Sequence, residues 1–148
     1  MIDTENPNEA RKHIEQVNKQ GKPVIVQGKS IDFNRLMLEN RKVNMLILSH
    51  TNKKDKLKQR DSGLNHVLCN LARQNNITLA IDFKEILDEK DKKARALILA
   101  RLEQNLKLMK KSGNKIKIIN KQDRNNRDLF SFLLTLRAST SQAKDAIN

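Results

Sequence analysis

The chain has 148 residues, which predicts one domain spanning residues 1–148. It carries 30 Lys and Arg against 17 Asp and Glu, a formal net charge of +13 that predicts attraction to polyanions, chiefly nucleic acid. No apolar run approaches the roughly 20 residues needed to cross a bilayer, so a membrane-spanning protein is not expected. The single cysteine and the absence of an apolar leader pattern predict a cytoplasmic protein without disulfides.

Helical and strand patterns alternate along the chain after residues 1–7, which are expected to be frayed. Short apolar runs predict strands at 23–27, 43–48, 77–83 and 115–119. Apolar residues at helical spacing predict helices at 8–20, 32–40, 63–74, 83–87, 91–111, 125–136 and 139–146. Asp61 or Ser62 is the expected cap of the third helix, because either side chain can accept the free N–H groups at a helix start.

Alternating strands and helices imply a parallel sheet with right-handed crossovers, so the predicted class is α/β. A closed eight-stranded barrel usually takes about 250 residues. The chain is shorter than that. It therefore predicts an open sheet, a partial barrel, or a barrel completed by something else.

Functional residues of parallel α/β folds gather at the carboxyl ends of the strands. There, His50 together with Asp61, His66 and Asp82 could build a metal or acid–base site, as in a metal-dependent phosphoesterase. No HxH, HExxH or CxxC spacing supports such a site, and no phosphate-binding glycine motif is present. The alternative is that His50 bonds locally or touches RNA and that Asp61 only caps a helix.

Basic residues are the stronger signal. One set crowds the loop after the second strand, with Asp55 as the only acid among them: Lys53, Lys54, Lys56, Lys58 and Arg60. A second set follows the long helix and the fourth strand: Arg101, Lys107, Lys110, Lys111, Lys115, Lys117, Lys121 and Arg124. With few aromatic residues available for stacking, both sets predict recognition of RNA by shape and backbone charge. The charge alone would equally fit a nucleic-acid-associated protein of another role.

Several segments carry a family resemblance. They read VNMLILSH at 43–50, DSGLNHVL at 61–68, LARQNNITLAIDFKEIL at 71–87 and KARALILARLEQNLKLMKKSG at 93–113, followed by RDL at 127–129 and QAK at 142–144. In order and spacing they resemble the third protein component of archaeal ribonuclease P, over roughly residues 22–147. The resemblance implies a partial TIM-barrel-like βα repeat with a parallel sheet.

The resemblance also implies an accessory role. The RNA subunit of ribonuclease P cleaves the 5′ leader from precursor tRNA with bound Mg²⁺, so neither a cofactor nor a catalytic or metal-binding residue is expected in this chain. The expected partners are ribonuclease P RNA, precursor tRNA and protein component 2. His50 and Asp61 are expected to be structural strand-end residues. The residues expected to bind RNA are Lys53, Lys54, Lys56, Lys58, Arg60, His66, Arg95, Lys121, Arg127 and Lys144.

Two departures from the family pattern affect these expectations. The chain is expected to lack the family's first strands, which would leave an open barrel edge for a second copy or another subunit to complete. The small-residue signature after the penultimate strand is replaced by Asn120, Lys121 and Gln122.

Overall fold

The computed structural model describes residues 1–148 and contains one open, parallel, four-stranded sheet in the order β1-β2-β3-β4. The strands are β1 (Ile25–Gln27), β2 (Met45–Leu48), β3 (Thr78–Asp82) and β4 (Ile116–Ile119). The helices are α1 (Pro7–Lys19), α2 (Ile31–Leu38), α3 (His66–Gln74), α4 (Phe83–Asp88), α5 (Lys92–Ser112), α6 (Asn126–Thr135) and α7 (Thr140–Ile147). Each predicted strand and helix is present, which confirms the α/β class with a parallel sheet. No helix is both long and apolar enough to cross a membrane.

The start of α3 differs from the prediction. Its cap is Asn65, whose side chain accepts a hydrogen bond from the N–H of Leu68 at 2.9 Å. Asp61 instead accepts a hydrogen bond from the N–H of Gly63 at 2.9 Å. Gly63 has φ +74°, a left-handed conformation that cannot be part of an α-helix. Residues 61–65 therefore belong to the loop between β2 and α3, which we call the basic loop, and α3 begins later than expected.

The N-terminal residues are held against the sheet, although they were expected to be frayed. Ile2 is buried and forms a parallel bridge with Val26, giving two backbone hydrogen bonds of 2.8 Å to Ile25 and Gln27. Asn6 caps α1. Burial of the Ile2 side chain and satisfaction of its backbone groups explain why this segment is held at the outer edge of β1.

The hydrophobic core lies between the helices and one face of the sheet. The strand register places Val26, Leu46, Leu79 and Ile116 side by side on this face, and all are buried. Cys69 of α3 lies in the same core, where burial raises the pKa of its thiol to about 12. Cys69 is therefore an inert packing residue.

The other face of the sheet does not join this core. Its residues are Ile25, Gln27, Met45, Ile47, Thr78, Ala80, Asp82, Lys117 and Ile119. None of them belongs to the core cluster or packs against it from the periphery. Moreover, β4 has a strand neighbour on one side only. Parallel sheets are normally covered on both faces. Here Ile47 and Ala80 are buried and Lys117 is exposed, so this second face is only partly open to solvent.

Candidate nucleic-acid interface

A buried histidine–carboxylate pair fixes the chain where β2 ends. His50 is 1% exposed, and its Nδ1 lies 3.0 Å from Oε2 of Glu85 at the start of α4. Oε1 of Glu85 accepts the backbone N–H groups of His50 and Thr51, both at 2.8 Å. Burial alone would raise the pKa of Glu85, but the hydrogen bonds from His50 and Thr51 outweigh it and hold that pKa below its ordinary value.

Asn105 of α5 sets the direction of the hydrogen bonds around His50. Its Nδ2 lies 3.1 Å from Nε2 of His50 and donates to the carbonyl oxygen of Ser62, also at 3.1 Å. Since a carbonyl can only accept, the amide nitrogen must face both groups, and Nε2 of His50 must accept. The imidazole proton then resides on Nδ1 and points at Glu85. Asn105 therefore orients the ring so that Nδ1 donates to Oε2 of Glu85.

Arg101 of α5 ties the basic loop to this buried network. It is 6% exposed, and its guanidinium donates to the carbonyls of His50 at 3.1 Å and Lys53 at 3.3 Å. It also contacts the carboxylate of Asp55 at 3.3 Å. The assignment of Arg101 to a phosphate-binding set is therefore wrong, because its side chain is buried and both terminal nitrogens of its guanidinium bond inside the protein.

The middle of the basic loop is a short hairpin. Lys56 and Gln59 exchange two backbone hydrogen bonds, of 2.9 and 3.2 Å, which leaves Leu57 and Lys58 as the turn. Asp55 accepts the N–H of Asp61 at 2.8 Å, and this bond is the main cause of the lowered pKa of Asp55. We call residues 53–61 the basic hairpin.

The basic hairpin borders a polar cleft of about 650 Å³ at the carboxyl ends of β1 and β2. Lys53 lies against this cleft, half-buried, with its Nζ bonded to the carbonyl of Lys29. Burial lowers the pKa of Lys53. Lysines and carboxylates balance along the cleft, because Lys29, Lys53 and Lys54 face Asp3, Glu5 and Asp61. The cleft lining therefore has no cationic excess, whereas the part of the hairpin outside the cleft exposes Lys56, Lys58 and Arg60.

The residues of the phosphoesterase alternative do not converge. His50 is enclosed by Glu85 and Asn105, Asp61 closes a turn at Gly63, and His66 is an exposed residue in the first turn of α3. Asp82 caps α4 and accepts from the amide of Asn120 at 2.9 Å. No group of three or more His, Cys, Asp or Glu side chains is placed to hold a metal ion. The geometry does not favour this alternative.

The residues expected to bind RNA fall into two groups. One group is exposed and forms no ion pair: Lys54, Lys56, Lys58, Arg60, His66, Arg127 and Lys144. The other group is partly engaged within the protein: Lys53 with Lys29, Arg95 with the carbonyl of Glu89, and Lys121 with the carbonyl of Ile147 at 2.6 Å. The lysines and arginines of the first group offer free cations to a ligand, and His66 offers an exposed imidazole.

Sequence reasoning missed the residues that hold the basic hairpin in place. Glu85 and Asn105 had no recognised role, since each lies within an apparently ordinary helix. Glu85 follows the end of β3 by a few residues, and this position near a strand end was the one available signal. Asn105 lies on the inner face of α5 between Leu102 and Leu106, where a polar residue marks a buried hydrogen-bonding site.

Comparison with known proteins gives a consistent result. The model of the family described as RNase P subunit p30 matches residues 1–148. Ribonuclease P protein component 3 of Methanothermobacter thermautotrophicus is 29% identical over 140 residues, covering 95% of this chain and 48% of the relative. The protein of the same name from Methanocaldococcus jannaschii is 31% identical, covering 91% of this chain and 57% of the relative.

A solved structure shares the fold. A chain in the cryo-EM structure of archaeal ribonuclease P with mature tRNA superimposes with a TM-score of 0.78 and 28% identity, covering 96% of this chain and 60% of that one. This match confirms the expected partial TIM-barrel-like fold. The chain spans about half the length of the curated relatives it matches.

Proposed function

Because the chain belongs to the RNase P subunit p30 family, we propose that it is a non-catalytic, RNA-binding subunit of ribonuclease P. In this role it supports the removal of the 5′ leader from precursor tRNA, a reaction that the RNA subunit catalyses with Mg²⁺. The observation that carries the proposal is the basic hairpin. It presents unpaired cations on a rigid base, beside titratable residues that do not converge into a catalytic site.

The proposed RNA contacts are the exposed cations. Lys54, Lys56, Lys58 and Arg60 of the basic hairpin form the principal contact, and His66, Arg127 and Lys144 extend it over other surfaces. Lys53, Arg95 and Lys121 contribute mainly by fixing neighbouring backbone, because their donors already bond backbone carbonyls. His50 and Asp61 act as structural residues. Binding through such cations follows the phosphate backbone and is independent of base sequence.

The proposed partners are ribonuclease P RNA, precursor tRNA and protein component 2, together with a second copy or another subunit that completes the open barrel edge. This proposal is supported by the free edge of β4, where the apolar residue Ile119 lies half-buried on the second face of the sheet. Its two charged residues, Lys117 and Asp82, are of opposite sign, so the face is suited to a partner with a similar surface.

Sedimentation velocity tests the covering of this face. The chain, alone or mixed with component 2, is expected to sediment as a larger species than its 17.1 kDa monomer. Ile119→Glu should abolish this association, because it places a charge at a half-buried apolar position of this face. The control Leu134→Glu, on the exposed side of α6, should leave it intact. If the chain stayed a folded monomer in both samples, neither a second copy nor component 2 would be the partner at this face.

Reconstitution tests the function itself. Cleavage of precursor tRNA is measured with ribonuclease P RNA and protein component 2, with and without this chain, at limiting Mg²⁺. We expect the chain to raise the cleavage rate or lower the Mg²⁺ requirement, because its cations offset phosphate repulsion in the folded RNA. Omitting the RNA should abolish cleavage. Cleavage by the chain alone would show instead that it is a nuclease.

A further inference from the structure

Leu57 is the most exposed large apolar side chain of the protein. It is 100% exposed and occupies the turn of the basic hairpin, between Lys56 and Lys58. The other exposed large hydrophobic residues lie on other elements, namely Met1, Val67, Leu97 and Leu134. Leu57 is therefore isolated from any apolar patch and is presented alone at a projecting tip.

The base of the hairpin is fixed from both sides. On one side, Arg101 binds the carbonyl of Lys53 and the carboxylate of Asp55. On the other side, the amide of Gln104 donates to the carbonyl of Arg60 at 3.2 Å. Both anchors lie on α5, so the turn is held at a defined position. A ligand that meets a preorganised tip avoids much of the entropy cost of ordering it.

The surroundings of Leu57 are cationic. Lys54, Lys56, Lys58 and Arg60 are exposed, whereas the carboxylate of Asp55 is engaged by Arg101 and by the N–H of Asp61. A protein-binding leucine usually lies within an apolar patch that a partner covers. A lone apolar side chain ringed by cations suits a nucleic acid, where it can enter the base stack while the lysines meet the flanking phosphates.

We propose that Leu57 is a wedge that inserts beside unstacked bases of RNA, so that the basic hairpin prefers bulges and loops to continuous duplex. Unpaired bases in loops and bulges are open to such contacts, while the bases of a continuous helix are stacked and closed. This inference rests on the proposed RNA-binding function. It adds a source of selectivity that the lysines alone lack, because phosphate contacts occur along any RNA.

The test compares two synthetic RNA hairpins that differ only in a three-nucleotide bulge. The full chain should bind the bulged RNA more tightly than the paired one. Leu57→Ala should lower affinity for the bulged RNA by about tenfold, as expected from burial of one leucine. It should leave affinity for the paired RNA and the salt dependence unchanged, because no charge is lost. Leu57→Met should retain the preference, and Val67→Ala serves as the matched control.

Other outcomes separate the two proposals. Equal binding of both RNAs by the wild-type chain, unaffected by Leu57→Ala, would overturn the wedge and leave RNA binding standing. Failure of the wild-type chain to bind either RNA would overturn both. If Leu57→Ala weakened binding to component 2 and spared both RNAs, Leu57 would be a protein contact and the wedge would be excluded. A 2-aminopurine placed in the bulge should brighten when the wild-type chain binds and less so with Leu57→Ala.

Discussion

Replacing Glu85 with alanine should lower the free energy of unfolding by about 3 kcal/mol, as expected when several buried N–H groups lose their acceptor. Glu85 accepts the backbone N–H groups of His50 and Thr51 and pairs with Nδ1 of His50. No other acceptor is bonded to these groups. Urea denaturation followed by circular dichroism measures the change.

Asp88→Ala provides the matched control for Glu85→Ala. Asp88 is an exposed carboxylate on the same helix, so its removal should change the free energy of unfolding by no more than about 0.5 kcal/mol. A loss of the same small size in Glu85→Ala would contradict the stabilising role of the histidine–carboxylate pair.

The pH dependence gives a second check on Glu85. Its folded pKa lies below the ordinary value of 4.5, so its contribution is fully present above pH 4.5 and is lost as the pH falls through the folded pKa. The stability difference between wild type and Glu85→Ala should therefore be constant above that pH and shrink below it. Asp55 also has a lowered pKa, but it titrates in both proteins and cancels in the difference.

Much of the fold was predictable from the sequence, because its elements have strong local signals. The strand of residues 45–48 is a continuous apolar run. Helix α5 is capped by Asp91 at its start and by Gly113, with φ +68°, at its end. Such signals act over a few residues and do not depend on the rest of the chain. The parallel order then follows from the alternation of strands and helices.

The site was less predictable, because its decisive contacts join residues far apart in the chain. His50 was singled out by its position at a strand end, but its partners Glu85 and Asn105 lie 35 and 55 residues away. Arg101 shows the same limit. Its charge predicted a phosphate contact, yet burial against loop carbonyls turned it into an anchor. The packing of α5 against the basic loop buries Arg101, whereas most lysines of the hairpin stay exposed. This difference in burial is not visible in the sequence.

The same distinction separates the lysines that are proposed to bind RNA from the one that holds the loop. Lys53 lies in the same charged run as Lys54, Lys56 and Lys58, but its Nζ is bonded to Lys29 and packs beside Gly63. Removing Lys53 would disturb the loop as well as the charge. The exposed lysines, in contrast, make no ion pair, so their removal tests charge alone.

The triple variant Lys54→Gln, Lys56→Gln and Lys58→Gln should reduce RNA affinity about a hundredfold at 0.1 M salt. Each phosphate contact contributes about 0.7 to 0.9 to the slope of log affinity against log salt, so the loss of three contacts should make the slope shallower by about 2 to 3. Filter binding of ribonuclease P RNA across a salt series measures both quantities. The free energy of unfolding should change by less than about 1 kcal/mol, since these side chains are exposed.

The control for net charge is Lys12→Gln, Lys19→Gln and Lys22→Gln, at exposed positions on α1 and just after it. This variant loses the same charge as the hairpin variant but none of the proposed contacts. It should weaken RNA binding only slightly through the long-range field. If both triple variants lost affinity equally, the basic hairpin would be an ordinary solvated surface and only the +13 charge of the whole chain would matter. A larger loss in the hairpin variant would locate RNA binding at the tip that β2 and α5 hold in place.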